Sequence, residues 1–478
     1  MSTKRDQMKN ITPWQNLSGA KDLPLYERLA EQIRSSIREG VFREGQRLPS
    51  KRSLSESLGV SLTTVGSAYD TLVAEGYLVS FPRSGFEISP LADLYLRLPP
   101  VKEYSPRQDH QQATKQMWRL DLDPHGIDKS LYPEKTVKRI YRKIIDAGAL
   151  SDETHRRGLL ILREELAADL KSSQDIEVSA SDIVISYGMQ GLYRFLFELL
   201  SPDMIFGIED PGYPTLEHTL RRSARKYRFL PLSEEGIHVG DLEQKNVQIA
   251  SLTPAHQFPT GLEYSSHLRM ELLHWAYEKP GRYLIEDAYD SAFCYQPSVE
   301  SLRKLDPSGE RVLYIGSFSR SWSPGLRISY LCLTPDLSRK ASDLGIPHAN
   351  PVPIMEQRFL AELIRSGTYE RHLNRARRLY HKKRRQLIAA FDSSSLPWEV
   401  RAGTSGLHFT VRLPEETDAG EFVRYLRTQH IRLQSVYQYC FENHWPQELL
   451  IGFGALPEEN IPSAVHMLEA SWEKYINQ

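Results

Sequence analysis

Cysteine, long apolar runs and an excess of one charge sign are all scarce in this chain. Its 478 residues include three cysteines, Cys294, Cys332 and Cys440, which are too few and too scattered for a disulfide framework or a zinc site. We therefore expect reduced thiols and no metal site. No stretch has the roughly 20 uncharged apolar residues that cross a bilayer, and the N-terminus lacks the apolar core of a secretion signal. The protein is expected to be globular and cytoplasmic, with no membrane partner.

The formal net charge is −1, so the chain as a whole has no electrostatic sign of a nucleic-acid partner. Apolar residues make up 40% of the chain, which supplies ample core, and its length suits about three domains. An average over the whole chain can hide a local basic surface. DNA contacts therefore have to be sought segment by segment.

The N-terminal segment has the pattern of short helices followed by a hairpin. Apolar residues recur every four positions over residues 25–37, which places them on one helical face. Ser50 is positioned to cap a second helix over residues 51–58, and Ser61 to cap a third over residues 62–75. Two short runs typical of strands, YLVS and GFEI, then predict a small β-wing.

This order of elements predicts a winged helix-turn-helix domain over residues 20–90, whose third helix enters the major groove of double-stranded DNA. Two cations in the first turn of the second helix support DNA binding, because the helix dipole disfavours them unless an anion such as a phosphate lies nearby. The predicted DNA-binding residues are Lys51, Arg52, Ser61, Thr63, Thr64 and Arg83, the last at the wing tip. A small helical docking domain is the alternative.

The stretch LPSKRSLSESLGVSLTTVGSAYDTLVAEGYLVSFPRSGF resembles the DNA-binding domain of the GntR family over nearly its whole length. The resemblance implies that Arg52 contacts DNA. That family usually has a second arginine where this chain has Leu62, so the resemblance implies no base preference through that position.

Residues 91–116 are rich in proline, glutamine and charge and lack apolar periodicity, which predicts a linker. In residues 117–478, short apolar runs such as DIVIS, MIFGIED, VQIASLTP, YLIEDAYD and VLYIGSFS alternate with helical stretches. Continuous apolar strands separated by helices predict an α/β fold, with a mostly parallel sheet covered by helices on both faces. Such sheets bind ligands beyond the carboxyl ends of their strands.

The residues that follow these strands include the partners that pyridoxal phosphate requires. Backbone N–H groups at a helix start, together with serine and arginine side chains, can hold a phosphate, an acid can keep the pyridine nitrogen protonated, and a phenol can bind the ring hydroxyl. Asp287 is assigned to the nitrogen and Tyr289 to the ring hydroxyl oxygen. The predicted cofactor-binding residues are Gly188, Met189, Tyr213, Asp287, Tyr289, Ser317, Ser319 and Arg327. Any one of them alone is equally consistent with a polar strand end in solvent, whereas the ordered set favours a pocket.

The same ordered set resembles fold-type I aminotransferases. With the N-terminal domain attached, the chain resembles the MocR/GabR subfamily of GntR-family transcriptional regulators over about residues 20–475, since TPAHQFPTG, IEDAYDSAF and GSFSRSWSPGLRISY are close to that subfamily's motifs. The resemblance implies a smaller α+β C-terminal subdomain and a head-to-tail homodimer. It also implies that residues 117–478 form an aminotransferase-like domain that senses a cofactor or a small-molecule effector.

Arg320 stands where the family has the lysine that binds the cofactor covalently. A guanidinium has a pKa above about 12 and delocalised lone pairs, so it cannot form an imine with the cofactor aldehyde. We therefore expect no catalytic residue, no transaminase turnover, and non-covalent pyridoxal phosphate if the cofactor binds. An active aminotransferase carrying a DNA-binding head is the alternative function, and a scaffold that binds neither cofactor nor effector is a third.

Two further positions differ from the family. The arginine that commonly clamps the substrate carboxylate near the C-terminus is here Ala455, and a second arginine of some regulators is here Thr215. Three interpretations of Arg320 stay open. It is natural in a pocket for a non-covalent cofactor or another anionic ligand, natural in a domain that has lost its ligand, or engineered.

Overall fold

The computed structural model describes residues 23–82, 84–90, 118–148, 156–295, 300–344 and 350–477. The predicted linker over residues 91–116 and Arg83 lie outside these ranges. By its internal contacts the chain divides into two units, residues 1–114 and residues 115–478. Among the helices in the described ranges, none is long and apolar enough to cross a membrane.

The small unit consists of three helices and a hairpin. Its elements are α1 (Leu25–Arg38), α2 (Lys51–Leu58), α3 (Leu62–Ala74), β1 (Leu78–Phe81) and β2 (Gly85–Ile88), the two strands being antiparallel. The Ser50 and Ser61 side chains accept hydrogen bonds from the backbone N–H groups of Ser53 and Thr64 and so cap α2 and α3. Apolar residues of all three helices and both strands form one buried cluster. The predicted winged helix-turn-helix is confirmed.

The large unit is built on an eight-stranded sheet. After the short β3 (Leu120–Asp121), its strands in chain order are β4 (Ile183–Tyr187), β5 (Phe206–Asp210), β6 (Tyr227–Ser233), β7 (Gly236–Ile237), β8 (Ile249–Leu252), β9 (Tyr283–Ala288), β10 (Val312–Ser317) and β11 (Ile328–Cys332). Across the sheet they lie in the order β4-β11-β10-β9-β8-β5-β6-β7. Strands β10, β9, β8, β5 and β6 are parallel to their neighbours within this run, whereas β11 is antiparallel to both β4 and β10. The predicted mostly parallel sheet is confirmed.

The reversed direction of β11 determines which loops meet. Because β11 runs opposite to β4 and β10, its first residue lies at the edge of the sheet where those two strands end. Ile328 pairs with Tyr187, and Ser329 pairs with Ser317. The loop over residues 318–327 therefore returns to the place where β4 ends.

Helices cover both faces of this sheet. They are α4 (Glu134–Asp146), α5 (Leu160–Gln174), α6 (Gly188–Leu199), α7 (Pro214–Arg222), α8 (Val239–Gln244), α9 (Ser266–Glu278), α10 (Leu302–Leu305), α11 (Phe318–Ser321), α12 (Pro335–Asp343), α13 (Ile354–Arg365) and α14 (Thr368–Asp392). Successive side chains of a strand point to opposite faces. Accordingly Ile183 and Ile185 pack with α5 and α13, whereas Val184 packs with α6 and α12.

A smaller α+β subdomain follows α14. Its strands β12 (Glu399–Arg401), β13 (His408–Arg412), β15 (Gln434–Ser435) and β16 (Glu448–Gly452) form an antiparallel sheet, and β14 (Ile431–Arg432) pairs with β3. Helices α15 (Ala419–Thr428) and α16 (Ile461–Ile476) pack on it. The C-terminal subdomain implied by the family resemblance is confirmed.

Asp210, at the end of β5, joins the large sheet to this subdomain. Its carboxylate accepts hydrogen bonds from three consecutive backbone N–H groups, those of Phe441 at 2.9 Å and of Glu442 and Asn443 at 2.7 Å. The side chain is 1% exposed. A buried carboxylate with several donors contributes more to stability than an exposed ion pair does.

We expect Asp210→Asn to lower the free energy of unfolding by about 2 kcal/mol or more, because an amide NH₂ would face N–H donors that need an acceptor. Urea denaturation of the full chain measures this effect. Asp203→Asn is the matched control, because Asp203 is 86% exposed and its carboxylate pairs with Lys226 at 2.8 Å. Equal urea midpoints for the two variants would show that the Asp210 contacts do not stabilise the fold.

Candidate functional site

Buried polar side chains hold the loops that follow β5 and β8. Glu209 accepts hydrogen bonds from the hydroxyl groups of Thr253 and Tyr264, both at 2.6 Å. Its burial raises the pKa of its carboxyl above the ordinary value. Gln257 Nε2 donates to the carbonyl oxygen of Pro211 at 2.9 Å, which ties the two loops to each other. These loops border the carboxyl edge of the sheet, where ligands of such folds bind.

The predicted phosphate-binding residues lie around the start of α6. Gly188 has a φ of 60°, and a Cβ atom placed on it would lie 3.3 Å from Nη2 of Arg327. The Arg327 guanidinium therefore faces the backbone of Gly188 across a gap that a side chain would fill. Met189 follows in the first turn of α6, whose free N–H groups suit an anion. At the end of β10, which β11 separates from β4, the Ser317 hydroxyl accepts from the N–H of Ser319 at 3.2 Å.

Asp287, which was predicted to bind the ring nitrogen, is 6% exposed and lies on β9 opposite Ile315 of β10. Within the described part of the chain its carboxyl has no hydrogen-bond donor. Burial, with Asp290 and Glu209 nearby, raises the pKa of Asp287 to about 8. A buried acid without a donor is costly unless a ligand supplies one. A protonated pyridine nitrogen would be such a donor, so this residue fits the cofactor.

Tyr289 belongs to a buried hydrogen-bonded group that sequence reasoning did not identify. Its hydroxyl oxygen lies 2.9 Å from Nδ1 of His256, and the same nitrogen lies 2.7 Å from Oδ2 of Asp290. A proton on Nδ1 can be shared between these two oxygens, and the Tyr289 hydroxyl also hydrogen-bonds to Asp290, so a ring hydroxyl oxygen would compete with this carboxylate for the phenol proton. Burial, followed by the nearby Asp290, raises the pKa of Tyr289 well above its ordinary value, so the phenol keeps its proton.

His256 and Asp290 could have been suspected from the motifs that contain them, TPAHQFPTG and IEDAYDSAF, because both motifs follow strands. His408, on β13, is the third member of the group, and its ring centre lies 4.4 Å from that of His256. The possible ligand atoms of all three lie within 4.8 Å of one another. Asp290 is hydrogen-bonded to His256, and His408 Nε2 lies 3.2 Å from the Pro259 carbonyl oxygen, whereas Nε2 of His256 is buried and has no hydrogen-bond partner among the described residues.

Aromatic side chains, here called the aromatic wall, connect Tyr213 to the hydrogen-bonded group of Tyr289 and His256. Tyr213, at the start of α7, is 38% exposed, and its ring meets the edge of Phe258 at a centroid distance of 5.8 Å. Phe258 also meets Tyr289 at 6.0 Å and Tyr439 at 4.8 Å. The structure thus links Tyr213 and Tyr289 through Phe258, whose side chain had not been selected from the sequence.

Arg320 lies in α11, at the position where the family has its lysine. Its side chain extends towards the segment that follows β3. Its Nη1 donates to the carbonyl oxygen of Pro124. Burial raises the pKa values of Tyr289 and Tyr439. The positive charge of Arg320 lowers both pKa values by a smaller amount. The guanidinium therefore lies near the aromatic wall.

The predicted DNA-binding residues all belong to the small unit. Lys51 Nζ lies 2.9 Å from Oδ1 of Asp70 and 5.2 Å from the ring centre of Phe86. The anion near this lysine in the free protein is therefore the Asp70 carboxylate, whereas the sequence argument called for a phosphate. Arg52 is 87% exposed and pairs with Glu56 at 3.2 Å, so it is accessible to DNA.

At the start of α3 the hydroxyl groups of Ser61, Thr63 and Thr64 cap the helix or hydrogen-bond to one another. The Ser61 hydroxyl caps the helix and lies 2.7 Å from the Thr64 hydroxyl and 2.8 Å from the Thr63 hydroxyl, so all three are occupied locally. Thr63 is exposed, and Leu62, which stands at the family's second arginine position, is 54% exposed. Arg83 lies outside the described residues.

Comparison with known protein families gives a match for each unit. The description "Bacterial regulatory proteins, gntR family" matches residues 25–88, and "Aminotransferase class I and II" matches residues 126–468.

Full-length relatives and solved structures agree with these matches. The HTH-type transcriptional regulator YdeL of Bacillus subtilis (strain 168) is 31% identical over 476 residues, which cover 97% of this chain and 100% of that one. The HTH-type pyridoxine biosynthesis transcriptional regulator PdxR of Corynebacterium glutamicum is 29% identical, with 91% of this chain and 92% of that one covered. An archaeal alanine:glyoxylate aminotransferase has the same fold, with a TM-score of 0.67 and 22% identity over 74% of this chain and 91% of that chain.

We expect Asp287→Asn to stabilise the protein without cofactor at pH 8 and to stabilise it less towards pH 4. The pKa of Asp287 is raised from 3.8 to about 8 on folding, so the folded state retains a proton that the unfolded chain releases. The wild type therefore loses stability as the pH rises through this window, whereas an amide does not titrate. Thermal unfolding at several pH values measures the difference.

Asp306→Asn is the matched contrast, because Asp306 is also 6% exposed but accepts from the N–H groups of Arg311 and Val312 at 2.9 Å. This variant should be destabilised. A destabilised Asp287→Asn at pH 8 would show that Asp287 already has a partner.

Proposed function

Since this chain belongs to the MocR/PdxR type of HTH transcriptional regulators, we propose that its aminotransferase-like unit senses pyridoxal phosphate, an amino-acid-related ligand or another anionic effector. Ligand binding changes the affinity of the helix-turn-helix unit for a double-stranded DNA operator. Transaminase turnover is absent in this proposal.

Arg320 is the observation that carries the proposal. A guanidinium provides no neutral amine for covalent attachment and cannot exchange protons as a lysine does at neutral pH. The surrounding partners nevertheless fit the cofactor. Gly188 and Arg327 would hold its phosphate, Asp287 its ring nitrogen and Tyr289 its ring hydroxyl. When bound, pyridoxal phosphate supplies an aldehyde and an electron-withdrawing ring, and here these residues would serve recognition.

The relatives support the same proposal. PdxR of Corynebacterium glutamicum is named as a regulator of pyridoxine biosynthesis, which makes a vitamin B6 compound a reasonable effector for this chain. Helix-turn-helix domains read two half-sites as dimers. We therefore propose a head-to-tail homodimer. We also propose a cytoplasmic location, because the operator DNA lies there.

We expect the wild-type protein to bind pyridoxal phosphate saturably in equilibrium dialysis without the visible absorbance band of a lysine-linked cofactor. Arg320→Lys should gain that band, because it restores an amine at the family's lysine position. Arg365→Lys is the matched control, because it introduces a lysine at an exposed helical arginine that pairs with Glu362. If neither the wild type nor Arg320→Lys binds the cofactor, the cofactor part of the proposal fails. Amino-group transfer by the wild type would favour the enzyme instead.

We expect Arg52→Ala to weaken binding of a DNA fragment from upstream of the protein's own gene. The slope of log K against log salt should fall by about 1, since one phosphate contact is lost. Gel-shift titrations at several salt concentrations measure this slope. Lys138→Ala is the control, because Lys138 forms a similar exposed ion pair, with Glu134 at 3.6 Å, in the other unit. An unchanged slope for Arg52→Ala, or no DNA binding at moderate salt, would contradict the proposed contact.

A further inference from the structure

A cavity of about 540 Å³ in the large unit is lined by Arg320, Tyr380, His125 and Ala455, among other residues. Gly188, Asp287 and Tyr289, which fit the cofactor, are not among the described residues that line it. Its volume lies in the range of small-molecule sites, about 300 to 1,000 Å³. The cavity therefore offers space for a second chemical group beside the proposed cofactor site.

The Arg320 guanidinium in this cavity lacks an anionic partner. It has five N–H donors, and one of its nitrogens donates to the carbonyl oxygen of Pro124. Across the described ranges no carboxylate forms an ion pair with it. The two carboxylates that border the cavity are paired elsewhere, Asp128 with Lys383 at 2.6 Å and Glu134 with Lys138 at 3.6 Å. A half-buried cation in this position calls for an anion from a ligand.

Tyr380 supplies a second donor. Its oxygen accepts the backbone N–H of Asp128 at 3.0 Å, but its own O–H has no acceptor among the residues that the structure describes. Burial raises the pKa of Tyr380 to about 12, so the phenol keeps this proton at neutral pH. The positive charge of Arg320 lowers the same pKa, which indicates that the Arg320 and Tyr380 side chains are near each other.

Part of the cavity lining is made of the small residues Gly126 and Ala455. A Cβ atom placed on Gly126 would lie 2.5 Å from Cβ of Ala455, so these two positions are closely packed without any long side chain. Ala455 is the position where the resemblance leads one to expect a carboxylate-binding arginine. Pro124, two residues before Gly126, accepts the hydrogen bond from Arg320. The cavity therefore contains the guanidinium of Arg320 but has none at position 455, where the family resemblance leads one to expect an arginine.

We propose that Arg320, with Tyr380, binds the carboxylate of a small organic acid in this cavity and so replaces the arginine that is missing at position 455. A guanidinium presents two parallel N–H groups to a carboxylate, a geometry that the ammonium of a lysine cannot provide. Phe293, Ala376 and Trp322 line the same cavity and suit the hydrocarbon part of the acid. The inference rests on the proposed function, because it identifies the effector of that sensor as a carboxylic acid.

Calorimetric titration of the full-length protein without pyridoxal phosphate tests this proposal, with succinate, alanine, pyruvate and benzoate as probes and succinamide as the uncharged control. At least one acid should bind in the millimolar range or tighter, and succinamide should not bind. Arg320→Gln should weaken that acid by about tenfold or more, because a charge-assisted bidentate contact is lost. Tyr380→Phe should weaken it by about threefold to tenfold.

Arg365→Gln is the matched control, because it removes an exposed helical guanidinium that pairs with Glu362 and does not line the cavity, so it should leave acid binding unchanged. A cooperative thermal unfolding transition close to that of the wild type shows that Arg320→Gln is folded. The inference is overturned if no acid binds the wild type, or if Arg320→Gln binds the acid as tightly as the wild type does. An acid that binds through Arg320 in a protein that does not bind pyridoxal phosphate leaves the inference standing and removes only the cofactor from the proposed function.

Discussion

The reversed strand β11 is the constraint on which the site depends. Its pairing of Ser329 with both Ser186 and Ser317 holds the ends of β4 and β10 at one edge of the sheet. Because of this register, the guanidinium of Arg327 reaches the backbone of Gly188, although the two residues are far apart in the chain. In a sheet with β11 parallel, the loop before this strand would open at the opposite edge, and no anion site would form there.

Charge explains why this arrangement suits a sensor. Arg320 and Arg327 have no carboxylate partner among the described residues, and Asp287 is a buried acid without a donor. The buried acid Asp287 and the half-buried Arg320 are unfavourable in the protein alone and become favourable when a ligand of opposite character binds, whereas the exposed Arg327 is solvated. Ligand binding can therefore stabilise one conformation of the unit strongly. Such differential stabilisation is what a regulator requires in order to change its affinity for DNA.

Much of this architecture could be predicted from the sequence, because local interactions determine it. Ser50 and Ser61 cap their helices through hydrogen bonds to residues three positions later. The apolar strands can be recognised in the sequence as continuous apolar runs. The pairing of Lys51 with Asp70 could not be predicted, since it depends on how two helices pack. The same holds for His256 with Asp290, 34 residues apart in the chain, and for the direction that the Arg320 side chain takes towards Pro124.

In our proposal this aminotransferase fold acts as a ligand sensor for the attached DNA-binding unit. Its most direct test is the affinity of the wild-type protein for operator DNA in the presence and absence of pyridoxal phosphate, at fixed salt and with the absorbance spectrum recorded. The account predicts that saturating cofactor changes the DNA affinity by about fivefold or more, as expected for allosteric coupling, while no lysine-type band develops. Equal DNA affinity in the presence and absence of bound cofactor would show that pyridoxal phosphate does not control DNA binding.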